Sequence, residues 1–165
     1  MARSDSFFIR ASAPTTVVAY NEVAIDLGSY VNVLSKDILR IHNIHVEYGT
    51  PGEAIGGLTP NIQSETNFQV TTQSQTALVP LSNRSVVASG QLNFACDANL
   101  AISILDDNLN AGPQDWTSGY LIAVESLFLG VDQGVDALSQ VSIIMECTSE
   151  TMSQAAAMAL SLSQQ

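Results

Sequence analysis

Two apolar runs late in the chain limit what it can fold into more than any other feature. Residues 120–129 read YLIAVESLFL and residues 141–147 read VSIIMEC, with a turn rich in Gly and Asp between them. In the first run Tyr120, Ile122, Val124 and Phe128 share one parity, and Leu121, Ala123, Leu127 and Leu129 share the other. Successive side chains of a strand point to opposite faces, so this run predicts a central strand covered on both sides or packed against another protomer. The second run alternates more cleanly. Val141, Ile143, Met145 and Cys147 point one way, Ser142 and Glu146 the other, and Ile144 breaks the pattern.

The rest of the chain repeats strand signals at regular intervals. Residues 7–12 predict a short strand closed by Pro14, which cannot donate to a central ladder. Residues 17–27 alternate, with Val23, Ile25 and Leu27 on one face and Glu22 and Asp26 on the other. In residues 38–48 the apolar side changes midway, from Leu39 and Ile41 to Ile44, Val46 and Tyr48, which a β-bulge or a strand bending between sheets explains. Further strands are expected at 67–72, at 76–81 (an edge or a bulge, because of Pro80), at 85–89, at 92–96 after an interruption by Gly90, and at 99–105. Two long loops, 49–65 and 106–118, separate them, the second holding the sole tryptophan, Trp116. After Cys147 the pattern changes to TSETMSQAAAMALSLSQQ. Thr151 and Gln154 have capping-box spacing, and a helix there would pack Met152, Ala155, Ala156, Ala159 and Leu162 as one face.

This pattern predicts an all-β, antiparallel sandwich over residues 1–148, a single jelly roll of about eight strands, followed by a short C-terminal helix or tail over 149–165. The order Cys96, Trp116, Cys147 superficially suits an immunoglobulin domain, but a tryptophan in a loop does not fill that role. At 165 residues one domain can bury roughly two thirds of its unfolded surface.

Charge narrows the function. Charged residues make up 13% of the chain, about half the usual share. A surface so poor in charge is either covered by Ser, Thr, Asn and Gln or hidden against another subunit. Sixteen acids against five bases give a net charge of −11, so there is no basic cluster to release counterions from phosphate. Direct contact with nucleic acid is not expected. No run reaches the roughly 18 apolar residues of a transmembrane helix, and MARSDSFFIR holds no apolar core of signal-peptide length. Synthesis in the cytoplasm without a leader is therefore expected.

No catalytic, cofactor-binding or metal-binding residue can be assigned. His42, His45 and Glu47 share one strand, where alternation sets His45 and Glu47 on one face and His42 on the other; a metal needs three convergent ligands. Asp106, Asp107, Asn108, Asp132 and Asp136 read as turn acids, without the spacing of a calcium loop. No GxSxG elbow accompanies the serines, and Gly49 to Gly57 lacks the Lys-Ser/Thr step of a P-loop. Asn83-Arg84-Ser85 is a glycosylation acceptor only in a secreted chain. Cys96 and Cys147 both fall in apolar alternation and read as buried thiols, with a single bridge as the other option.

In size, strand layout, low charge and acidity the chain resembles small single-jelly-roll capsid proteins of icosahedral, membrane-containing archaeal and bacterial viruses. That resemblance implies a non-enzymatic subunit of a virion, assembling laterally with copies of itself and other capsid subunits, and without a cofactor. A chain this acidic would not line a genome, so a membrane or protein layer would intervene. The alternative is a carbohydrate- or receptor-binding sandwich, fibre- or lectin-like, touching its ligand through Trp116 and the 49–65 loop.

Overall fold

The computed structural model describes residues 4–16, 18–53, 59–105, 114–135 and 138–165. Nine strands and one helix are present among them: β1 (Phe7–Pro14), β2 (Asn21–Asp26), β3 (Asp37–Tyr48), β4 (Gln63–Thr71), β5 (Val86–Cys96), β6 (Ile102–Leu105), β7 (Gln114–Ile122), β8 (Ser126–Gln133), β9 (Gln140–Thr151) and α1 (Gln154–Ser163). They form two antiparallel sheets, a four-stranded one in the order β1-β9-β3-β7 and a five-stranded one in the order β2-β8-β4-β5-β6. Apart from β4–β5–β6, each strand passes to the opposite sheet from its predecessor. This is the jelly roll, eight strands in two interleaved halves, with β6 added at one edge.

The inward-facing parities of both sheets meet in one core. Ile9, Ile41, Ile44, Ile122, Val141, Ile143, Met145 and Cys147 from the first sheet pack with Ile25, Phe68, Val70, Leu127, Leu129 and Val131 from the second. The clean alternation of 141–147 is thus realised as expected, with Ile144 facing outward. Cys96 and Cys147 are buried thiols on different sheets. Burial, and then the charge of Glu146, push the Cys147 thiol up to about 12.

Several expectations are corrected. Residues 120–129 are not one strand. Residues 123–125 are the corner at which the chain leaves β7 and enters β8 on the other sheet, so the run is apolar in both parities because its two halves belong to different sheets. Gly90 does not interrupt β5, which pairs through it with Phe68 of β4. Residues 76–81 form no strand, and Trp116 lies on β7, packed against the core with its ring 5.7 Å from that of Tyr120. Ile102 and Ile104 alternate as read, but both are exposed, because β6 is an added edge strand bonded only to β5 among the described residues.

The helix is present, yet it packs by a different face. Ser153, not Thr151, is the N-cap, its Oγ accepting from the Ala156 N–H. Starting there, the helix turns Ala157 inward against Ile38 and Ala123, with Leu160, Leu121, Val33 and Met152 around them. Ala155, Ala159 and Leu162 are left exposed.

Candidate functional site

The outer face of the four-stranded sheet is the surface with most chemistry on it. Antiparallel pairing aligns its outward side chains in rows across β1, β9 and β3: Phe8, Glu146 and Asn43; Arg10, Ile144 and His45; Ser12, Ser142 and Glu47. Directly opposed residues of this kind sit about 5 Å apart at Cβ, so each row behaves as one contact unit.

One half of this face is closed upon itself. Arg40 donates from Nε and Nη2 to the two oxygens of Glu150, at 2.7 and 2.8 Å, and also bonds the carbonyl of Ser118. The Glu150 hydrogen bond raises the Arg40 pKa above its ordinary value, against the smaller effect of burial. His42 Nε2 lies 3.0 Å from the Thr148 hydroxyl, and Asn43 donates to Glu146 at 2.7 Å. Thr148 and Glu150 are buried, so this ladder is an internal polar seam rather than a site open to ligand.

The other half is an open trough of about 600 Å³, lined mainly by Arg10, Ser12, His45, Glu47, Ser142 and Ile144. Its polar groups are diverse: a guanidinium, an imidazole, a carboxylate and two hydroxyls around the exposed Ile144. Ser142 donates to Ser12, which donates to Gln140. Arg10 lies 5.8 Å over the ring of Phe8, itself 54% exposed. The shape is a shallow strip across three strands, suited to another protein surface more than to enclosing a small molecule.

The two histidines were expected on opposite faces. The register of β3 shifts between Ile41 and Asn43, and the extra residue at this bulge is His42. A bulge places two residues against one, so alternation restarts after it. His42 therefore meets Thr148 on the same outer face as His45 and Glu47. It points into the closed seam while they line the trough, and among the described residues no three His, Cys, Asp or Glu side chains gather as metal ligands.

The remaining candidates divide similarly. Asp132 is on β8 and accepts from the Gln133 N–H, whereas Asp106, Asp107, Asn108 and Asp136 lie outside the described residues. Residues 54–58 of the 49–65 loop also lie outside them. At the loop's start Glu53 accepts from Thr50 and from both the hydroxyl and N–H of Ser139, bonds that hold its carboxyl down at about 2. Asn83 uses its side-chain oxygen on the Ser85 N–H and hydroxyl. The exposed apolar residues of β6 carry no surface signal in the sequence, because alternation alone cannot tell a strand face that meets a second sheet from one that does not.

No family model matches this chain, and no curated protein matches it in sequence. Among solved structures it is similar to VP1 of Trichodysplasia spinulosa-associated polyomavirus, with 8% identity and a TM-score of 0.46, over 89% of this chain and 96% of that one. The Merkel cell polyomavirus VP1 unassembled pentamer gives 8% and 0.44, over 87% and 94%. A protein of Desmodium yellow mottle tymovirus gives 8% and 0.30, over 90% and 89%. These structural neighbours are viral capsid proteins; the assignment of the jelly roll to this chain rests on its own strand order.

Proposed function

We propose that this chain is a structural subunit of a virion or similar protein shell, made in a host cytoplasm, whose copies pack laterally through several faces of the sandwich. The observation that carries this reading is the distribution of exposed large apolar side chains. Ile144 lines the trough and Phe8 lies beside Arg10, Leu100, Ile102 and Ile104 mark the β6 edge, and Met158 and Leu162 lie on α1. One such patch would suit a two-fold dimer; a closed shell needs several distinct contacts on each subunit. Each patch gains about 25 cal/mol per Å² when covered, offset by the cost of association.

Charge supports the same arrangement. With a net charge of −11 the subunit gives phosphate no attractive surface, so other layers of the particle, protein or membrane, would face the genome. The trough then serves as a contact strip for a neighbouring subunit. Negative-stain microscopy of the purified chain over a range of salt and protein concentrations tests the proposal. Closed particles, rings or sheets are expected, and isolated single subunits under every condition would overturn it.

A further inference from the structure

We infer that the exposed face of α1 is a self-association surface, which packs antiparallel against α1 of a second copy and so supplies one contact of the shell proposed above, on which reading it rests. The helix is already fixed to its own subunit. Ser153 caps its start, and just past its end the Gln164 side chain accepts from the Ala123 N–H at 2.9 Å and donates to the Leu121 carbonyl at 2.6 Å. Ala157 and Leu160 occupy the inward face. What remains outward is Ala155, Met158, Ala159 and Leu162, with Met158 49% and Leu162 68% exposed. Their spacing of i, i+3, i+4 and i+7 is that of a helix packing seam, so this short helix is apolar on both sides.

Two features say that the occupant is another copy. First, residues 152–165 contain no Asp, Glu, Lys or Arg. Acidic copies of net charge −11 repel one another over much of their surface, and the helix itself brings no like charges together here, the cation at its end being Arg84 on the Gln165 carbonyl. Second, the seam is complementary to itself. A two-fold axis midway between residues 158 and 159 sets Ala155 against Leu162 and Met158 against Ala159, each large side chain facing an alanine. That is the interdigitation of large and small side chains that lets helices approach closely.

Size sets the strength. Ten residues of helix span about 15 Å, so one helix pair buries far less than the roughly 800 Å² per partner of a standard interface. The contact is weak in dilute solution and adds to others once the shell presents many copies together. Because α1 is folded before association, no ordering of the helix opposes it.

The test mixes two variants, Ala155→Cys and Leu162→Cys, at about 1 mM, where a contact of this size is populated, under mild oxidation. The native Cys96 and Cys147 are buried and contribute little background. A disulfide-linked dimer is expected in the mixture at several-fold the yield of either variant alone; no dimer, or equal yields in all three samples, would overturn the inference. The double variant Met158→Glu, Leu162→Glu keeps the fold, checked by circular dichroism, because both positions are exposed, and should associate at least ten-fold more weakly. If it associates as wild type does, this contact is wrong while the shell reading stands; a wild type that never associates removes both.

Discussion

The side-chain amide of Gln69 and the backbone of Val79 form a closed two-bond ring: Gln69 Nε2 donates to the Val79 carbonyl at 2.7 Å, and the Val79 N–H donates to Gln69 Oε1 at 3.0 Å. Gln69 sits on β4 and is almost wholly buried, so its amide binds a loop as a neighbouring strand would. Gln164 does the same for the end of β7, and Gln133 Oε1 accepts from the Leu138 N–H and from Thr66. In a chain short of charge, neutral amides share the tying of loops with the few carboxylates, Glu22 and Glu53 among them.

Replacing Gln69 should therefore cost more than its chemistry suggests. Gln69→Ala is expected to lose about 1–2 kcal/mol, read as a lower urea midpoint. Gln69→Glu should be worse, because it keeps the acceptor but sets a carboxylate against the Val79 carbonyl. Limited proteolysis should then cut first within residues 73–80.

Gly119 is the second sensitive point. It has φ +72°, and a Cβ there would stand 2.7 Å from Arg40 Cγ and 3.0 Å from the Ile41 carbonyl oxygen. Gly119→Ala should cost about 1–3 kcal/mol, through backbone strain and through displacement of Arg40 from Glu150. Glu150→Gln should cost about 1–2 kcal/mol, since the pair is mostly but not wholly buried. A double-mutant cycle should show the two effects to be non-additive, because both act through Arg40.

The strand that needed least of the tertiary structure to be read was β9. Its inner parity is buried against the opposite sheet, so the Val141, Ile143, Met145, Cys147 spacing directly reflects a physical boundary. An irregularity in β3 was legible for the same reason, from the change of apolar side between Ile41 and Ile44, but a bend between sheets leaves the same signal as the bulge that the register shows. His42 was placed wrongly because spacing shows that a residue is inserted, not which residue bulges. The break at 123–125 was hidden because Ala123 and Val124 are buried at the corner and look like strand interior. The trough was illegible as such: Arg10, His45 and Ile144 come from three strands that only long-range pairing brings into one row. The face of α1 was misread along with its cap, which is Ser153 rather than Thr151.

Acid should loosen one specific loop. The Glu53 carboxyl is lowered from 4.5 to about 2, chiefly by the Ser139 hydroxyl and then by the Thr50 N–H. A depressed carboxyl contributes stability fully above its unfolded pKa and loses it as pH falls through the folded value. The tie between residues 50–53 and Ser139 should thus weaken from about pH 4.5 toward pH 2. Amide exchange at Ser139 should report this, and Glu53→Gln should flatten the response over that window.

Tyr48 offers a gain. Its hydroxyl is buried with no hydrogen-bond partner among the described residues, while its ring packs edge-on to Phe68 at 6.1 Å. Burial raises its pKa, so the group stays neutral and unsatisfied. Tyr48→Phe retains the ring contact and should stabilise the fold by about 1 kcal/mol, seen as a higher thermal midpoint; a loss of stability would reveal a partner for the hydroxyl.

The account as a whole holds that the exposed apolar patches of this jelly roll are covered by other copies of the chain. Sedimentation velocity of the purified wild type, from about 1 μM to 1 mM, tests that most directly. Mass should rise with concentration beyond the dimer, since the patches lie on separate faces. A monomer throughout that range, unchanged by salt, would contradict it.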